Sequence, residues 1–211
     1  MLVGNRMTKH PVTITSEELI SQAKDKMVAG RFRRLPVVSD GKLTGIVTER
    51  DLRQYTGVLE RTKVNAAMTE NPITVSPETM LEDAAEIMLK NQIGCLPVLH
   101  QGQLVGIVTA SDVLEAFLDV MGASESASAR IDFTLEGEEH GLVEASRVVS
   151  REAGEILGVG TYRERFGTNP VCYLRVLSRN AEAIAKALRQ SGFDVLGVHR
   201  RDTGTRMKAV G

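Results

Sequence analysis

Hydrophobic positions in the first 120 residues alternate between two periods. Val12-Thr13-Ile14-Thr15 is a β-branched extended run, and Leu19, Ile20, Ala23 and Met27 then recur at helical spacing. Two strands follow, Leu35–Val38 and Leu43–Thr48, joined by Ser39-Asp40-Gly41-Lys42, whose Asp-Gly pair favours a tight hairpin. A second helix is predicted from near Glu49. The same order returns 61 residues later with Ile73-Thr74-Val75-Ser76 and a helix face of Met80, Leu81, Ala84 and Met88. Ser76 is the expected N-cap there, with Pro77 at the first helical position. Sliding the chain by 61 gives 18 identities in the 49 pairs of residues 3–51, without a gap. Average composition would give about three. Each copy reads β-α-β-β-α, and one copy alone would leave its sheet face bare, so two copies are expected to pack about a pseudo-twofold axis.

Beyond residue 120 the pattern changes. Met121–Ser128 is small and polar and reads as a linker. Ile131, Phe133 and Leu135 alternate with polar residues as a half-buried strand, and Leu142, Ala145, Val149 and Ala153 mark a helix over 141–154. Strands at 156–165 and 171–177, a helix at 180–190 ending at Gly192, and a strand Asp194–His199 complete β-α-β-β-α-β, the ferredoxin-like order. The expected organisation is 1–61 and 62–120 for the two copies, 121–129 linker, 130–200 third domain and 201–211 polar tail. The fold class is mixed, α+β with α/β character.

Composition narrows the function classes. With 42% hydrophobic and 25% charged residues in 211, the chain has the make-up of packed soluble domains. No apolar run approaches the ~18–20 residues that span a bilayer, and the N-terminus lacks a signal-peptide layout, so a cytoplasmic protein without membrane partners is expected. Cys95 and Cys172 are too few for a disulfide scaffold or a Cys-rich zinc site and suit a reducing compartment. The net charge of −1 hides an asymmetry: residues 1–61 carry 11 basic and 7 acidic side chains, residues 62–121 carry 2 and 8. A near-neutral whole argues against nucleic acid as a partner, whereas a basic segment beside an acidic one suits anion capture or self-pairing.

The candidate chemistry sits at Thr48-Glu49-Arg50-Asp51 and Thr109-Ala110-Ser111-Asp112, each closing a strand and opening a helix. The bland reading is a capping box, in which Thr bonds the N3 amide and Asp returns to the cap. The functional reading uses the same geometry: free amides and the Thr hydroxyl face a phosphate, and the carboxylate accepts ribose hydroxyls. Arg31, Arg33 and Arg34 precede Leu35-Pro36, where the second copy has Gln92, Ile93, Gly94 and Cys95. Arginine forks suit phosphate, although a charge run is most often a solvated face. Cys95 reads as a small buried spacer. No phosphate-binding loop, metal-spaced histidine pair or nucleophile elbow occurs, and His10, His100, His140 and His199 fall in separate elements. No catalytic residue, metal or prosthetic group is expected.

Met-Thr-x-x-Pro, Leu-Pro-Val and Gly-x-Leu-x-Gly-Ile-Val-Thr-x-x-Asp, each present twice, resemble the CBS domain, and the tandem resembles a Bateman module. The resemblance implies an adenine nucleotide in clefts between the copies, with Thr48 and Thr109 toward phosphate, Asp51 and Asp112 toward ribose, and Val12 and Ile73 as apolar walls for the base. The pre-proline turn would supply phosphate ligands, and each cleft would combine Thr-x-x-Asp of one copy with the strand and turn of the other. On that basis Thr109 and Asp112 would meet Val12, Arg33 and Arg34 in the more cationic cleft. Thr48 and Asp51 would meet Ile73, Gly94 and Cys95, with Arg50 adding charge. The residues do not choose among AMP, ADP, ATP, S-adenosylmethionine and NAD. The C-terminal part resembles an ACT domain, whose effector loop would place His140, Gly141 and Leu142 near a ligand. The whole resembles acetoin-utilisation-type regulatory proteins, implying a non-catalytic sensor, at least a homodimer, acting on a regulated protein partner. An acetoin-pathway enzyme or accessory subunit and a purely structural oligomerisation module are the competing readings.

Overall fold

The computed structural model describes residues 1–125, 127–134, 141–163, 170–178 and 180–200, and the chain divides into two units, Met1–Glu115 and Ala116–Gly211. The first copy runs β1 (Thr8–Lys9), α1 (Ile20–Gly30), β2 (Arg34–Ser39), β3 (Lys42–Thr48) and α2 (Glu49–Leu52). The second repeats it as β4 (Thr69–Glu70), α3 (Leu81–Asn91), β5 (Cys95–His100), β6 (Gln103–Thr109) and α4 (Ala110–Val120). Both hairpins turn through two residues of positive φ, Asp40 and Gly41 at 50° and 74° and Gln101 and Gly102 at 50° and 78°. That is the turn whose twist matches the strands it joins.

The copies exchange their leading strands. β4 pairs with β3 (Thr69 opposite Ile46, Glu70 opposite Gly45), and β1 pairs with β6 (Thr8 opposite Ile107, Lys9 opposite Gly106). Every pair maps onto its mate by the 61-residue shift, which is the signature of a pseudo-twofold. The sheets are therefore β2-β3-β4 and β1-β6-β5, each a hairpin of one copy closed by a strand of the other. Glycine is required where the exchanged strand crosses. A Cβ at Gly45 would stand 3.0 Å from the Thr69 carbonyl, and one at Gly106 would stand 3.1 Å from that of Thr8. Side chains are exchanged too: Val64 packs with Ile14, Ile20, Leu35, Val37 and Val47 of the first copy.

This exchange moves a predicted helix start. Ser76 and Pro77 do not open α3; its N-cap is Met80. Residues 76–79 form a turn closed by the Thr79 amide on the Ser76 carbonyl at 3.1 Å. The N-terminal segment then holds the chain extended: Val3 N–H donates to the Thr79 carbonyl and Leu81 N–H to that of Met1, at 2.9 and 2.8 Å. Pairing between distant segments outcompetes the local cap. In the first copy Leu19, expected on the helix face, is likewise the N-cap, and its amide donates to the Gln22 side chain.

The second unit contains β7 (Ser128–Thr134), α5 (Gly141–Arg151), β8 (Glu155–Tyr162), β9 (Val171–Leu177), α6 (Ala181–Gln190) and β10 (Val195–Arg200). Its four strands form one antiparallel sheet in the order β10-β7-β9-β8. Ala129, Ile131 and Phe133 alternate inward against Leu174, Val176, Ile184 and Leu188, and Phe133 meets Phe193 edge to face at 5.3 Å. The buried face of α5 is Ala145, Val148 and Val149, while Leu142 is 42% exposed. Leu135 and the 136–140 loop, His140 included, lie outside the described residues, as does the 201–211 tail. On the other sheet face, Arg130 lies 4.9 and 4.7 Å from the Tyr162 and Tyr173 ring centroids, and its Nε donates to buried Asp132 at 2.6 Å.

Candidate functional site

The strand β3 ends at Thr48, and the box predicted there is formed. Thr48 N–H and its hydroxyl both donate to Asp51 Oδ2 at 2.8 Å, and the Asp51 amide reaches Thr48 Oγ1 at 3.4 Å. Thr109 and Asp112 repeat these distances as 2.7, 2.8 and 3.4 Å. The capping and ligand readings are thus compatible, because the box engages one carboxylate oxygen and leaves Oδ1 outside it. A carboxylate already oriented by two donors loses no side-chain freedom when a ligand hydroxyl arrives. The helices behind the two boxes differ, however: α2 spans four residues and α4 eleven. A four-residue helix has little macrodipole to offer, so at Thr48 any phosphate must be held by side chains.

Those side chains are present. A cavity of about 660 Å³ opens between the copies and joins Thr48, Arg50 and Asp51 to Ile73, Gly94 and Cys95. Arg33, Arg34 and Arg53 also line it, with Glu49 as the second carboxylate. Ile73 is 42% exposed at the wall, an apolar surface of the kind that a planar base covers. Arg34 crosses from the first copy to the second: its guanidinium occupies the space beside Gly94, where an added Cβ would stand 2.5 Å from a terminal nitrogen. Cys95 is buried on the floor next to it. Burial pushes its thiol up to about 11, against the pull of the Arg34 charge, so it is a neutral spacer at physiological pH.

The placement of the arginines differs from the sequence expectation. Arg33 and Arg34 were assigned to the Thr109 cleft, yet they line the Thr48 cavity. Arg31 does not line the 660 Å³ cavity: it caps α1 at φ 55° and faces a neighbouring cavity of about 510 Å³ with Lys24, Met27, Phe32 and Leu59, which shares Arg33, Glu49 and Arg53 with the first. Val12 is 50% exposed and, with Thr109 and Asp112, lies outside the 660 Å³ cavity. Arg53 was missed by sequence reasoning. Its signal was available, since it stands two residues after Asp51 and, like Arg50, has an uncharged mate 61 residues on, Leu114 and Ser111 respectively. Gly141 is buried at the start of α5 and Leu142 is half-exposed.

Among the described residues no three histidine, cysteine or carboxylate side chains are placed to hold a metal, and no helix is long and apolar enough to cross a membrane.

The comparisons with known proteins cover this same region. The CBS domain model matches residues 3–57 and 64–119. A CBS domain-containing protein of Dictyostelium discoideum is 35% identical over 136 residues, 57% of this chain and 94% of that protein. Among inosine-5'-monophosphate dehydrogenases the chain matches only 21% to 26% of the enzyme's length. Three of the similar solved structures bear on the site. The CBS domain pair of MJ0100, in complex with 5-methylthioadenosine and S-adenosyl-L-methionine, is 30% identical with a TM-score of 0.52, covering 56% of this chain and 95% of that one. CBSX2 in complex with AMP is 27% identical with a TM-score of 0.50, covering 56% and 96%. A Vibrio cholerae protein described as an acetoin utilization protein, AcuB, is 33% identical with a TM-score of 0.53, covering 59% and 95%. The family match takes in more than half of the chain and both repeats, and the chain belongs to the CBS domain family, with its two CBS domains arranged as a tandem pair.

Proposed function

We propose that this protein is a non-catalytic regulator that binds adenine nucleotides in the clefts of its CBS pair and relays occupancy to its C-terminal unit or to a protein partner. The observation that carries the reading is the 660 Å³ cavity, which gathers an apolar wall from the second copy with an oriented carboxylate and four arginines from the first. Ile73 suits the base, Asp51 the ribose and the arginines the phosphates. Adenosine ligands in the related MJ0100 and CBSX2 structures support the ligand class. At the pseudo-symmetric position Thr109 and Asp112 offer a second cleft, with Val12 as its wall.

The C-terminal unit is read as ferredoxin-like and ACT-like on the strength of its β-α-β-β-α-β succession and the sheet order β10-β7-β9-β8. Gly141 and Leu142 at the start of α5 would border its effector loop, together with His140. A cytoplasmic homodimer is the expected state, and exposed Val28 and Leu89, which are mates under the 61-residue shift, favour self-association. A thermal-shift screen with AMP, ADP, ATP, adenosine, S-adenosylmethionine and NAD tests the function. A ligand at 100 times its Kd adds about 2.7 kcal/mol to the native state. Silence across all six would leave the capping boxes as the whole role of the two motifs and favour a structural module.

A further inference from the structure

We infer that the Thr48/Asp51 cleft is the charge-selective one, built for an adenine nucleotide with two or more phosphates, and that the Arg34–Gly94 contact between the copies sets this preference. The inference rests on the nucleotide-binding reading above. It reverses the sequence expectation, which gave the cationic role to the Thr109 cleft.

Four arginines, Arg33, Arg34, Arg50 and Arg53, line this cavity against the two carboxylates Glu49 and Asp51. Asp51 is already engaged by Thr48, which leaves the guanidinium groups as the groups able to meet added negative charge. Arg50 and Arg53 have no charged mate in the second copy, where Ser111 and Leu114 stand. The excess is therefore built into one cleft by residues the repeat does not share. Arg34 is half-buried and crosses the pseudo-twofold because position 94 carries no side chain to stop it. Guanidinium forks bind phosphate oxygens in pairs, and the half-buried Arg34 is less screened than the exposed Arg33, Arg50 and Arg53. Each phosphate beyond the first adds negative charge to a cavity lined by four arginines and two carboxylates. A neutral adenosyl ligand gains nothing from the arginines, and a sulfonium is repelled.

Calorimetric titration of the full chain with ATP, AMP, adenosine and S-adenosylmethionine tests this. The wild type should bind ATP about tenfold or more tighter than adenosine and should rank S-adenosylmethionine last. Arg34→Gln should weaken ATP about tenfold while changing adenosine less than about twofold, the loss of one paired charged contact. Gly94→Ala should act in the same direction with an unchanged melting temperature, because the added methyl meets only the far end of a flexible side chain. Asp51→Asn should remove the tight ATP site, and Asp112→Asn the weaker one. Wild-type binding of adenosine and ATP within about twofold of each other would overturn the charge selectivity while leaving nucleotide binding intact. Equal losses of adenosine and ATP in Arg34→Gln would make Arg34 a shape residue and overturn its role. Loss of the tight site in Asp112→Asn would return the selectivity to the other cleft. Absence of any adenine ligand in the wild type would remove the parent reading and this one together.

Discussion

The two CBS copies carry the same strands, turns and capping boxes, yet they end differently. After Asp112 the chain continues as the eleven-residue α4, whereas after Asp51 the helix stops at Leu52 and gives way to a 3-10 turn at Arg53–Tyr55. The first copy places arginines within and just after its box, Arg50 and Arg53, and the second places apolar residues after its own, with Leu114, Phe117 and Leu118 exposed along α4. A duplicated fold has thus kept its hydrogen-bonded frame and diverged where the frame does not need a given residue. Such divergence is what lets one copy's cleft acquire charge while its mate's helix acquires apolar surface.

The equivalence of the copies can be broken at the core, with the largest effect. Leu35 and Leu96 are fully buried mates, and Leu35→Ala or Leu96→Ala should each cost about 2–5 kcal/mol. Because the copies exchange strands, either variant should melt both copies in one transition by calorimetry; separate transitions would show that the exchange carries no cooperativity. Gly45→Val and Gly106→Val test the exchange itself. Each added side chain meets backbone of the incoming strand, at the Thr69 or Thr8 carbonyl, and about 1–3 kcal/mol should be lost in urea unfolding, equally for the two. Unequal losses would mean that the two crossings are not equivalent.

Smaller effects sharpen the contrast. Thr48→Ala and Thr109→Ala each remove a cap worth about 1 kcal/mol. The Thr109 change should lower helical circular dichroism more, since α4 is the longer helix. The smallest concerns Cys95. Its buried thiol should react with Ellman's reagent far more slowly than an unfolded-chain thiol at pH 8. Its raised value of about 11 means that burial of the neutral thiol stabilises fully below the ordinary thiol range near 9 and is lost as pH rises through 11. A Cys95→Ser variant should flatten the corresponding slope of stability against pH between 9 and 11.

Much of the site was legible because it is local. Thr-x-x-Asp at a strand end specifies its own box through contacts three residues apart, and Asp-Gly specifies its own turn. Ser76-Pro77 misled because an equally local signal was overridden by the N-terminal segment, whose pairing with Thr79–Leu81 is invisible along the chain. The Asp132 cluster was missed for a similar reason: Arg130, Tyr162 and Tyr173 come from three strands, and no spacing links them.

The sequence by itself determined the repeat, the two hairpins and the residues of each capping box, since each of these follows from periodicity or from short-range hydrogen bonding. The leading strands, read at Val12–Thr15 and Ile73–Ser76, form instead at Thr8–Lys9 and Thr69–Glu70, where the other copy's sheet pairs with them. Only the tertiary structure decided which copy's strand completes which sheet and which cleft receives Arg33 and Arg34. Arg34 opens β2 directly opposite Thr48 in β3, so the paired hairpin carries it to its own copy's box. The missing side chain of Gly94 then leaves room for the Arg34 guanidinium across the boundary between the copies.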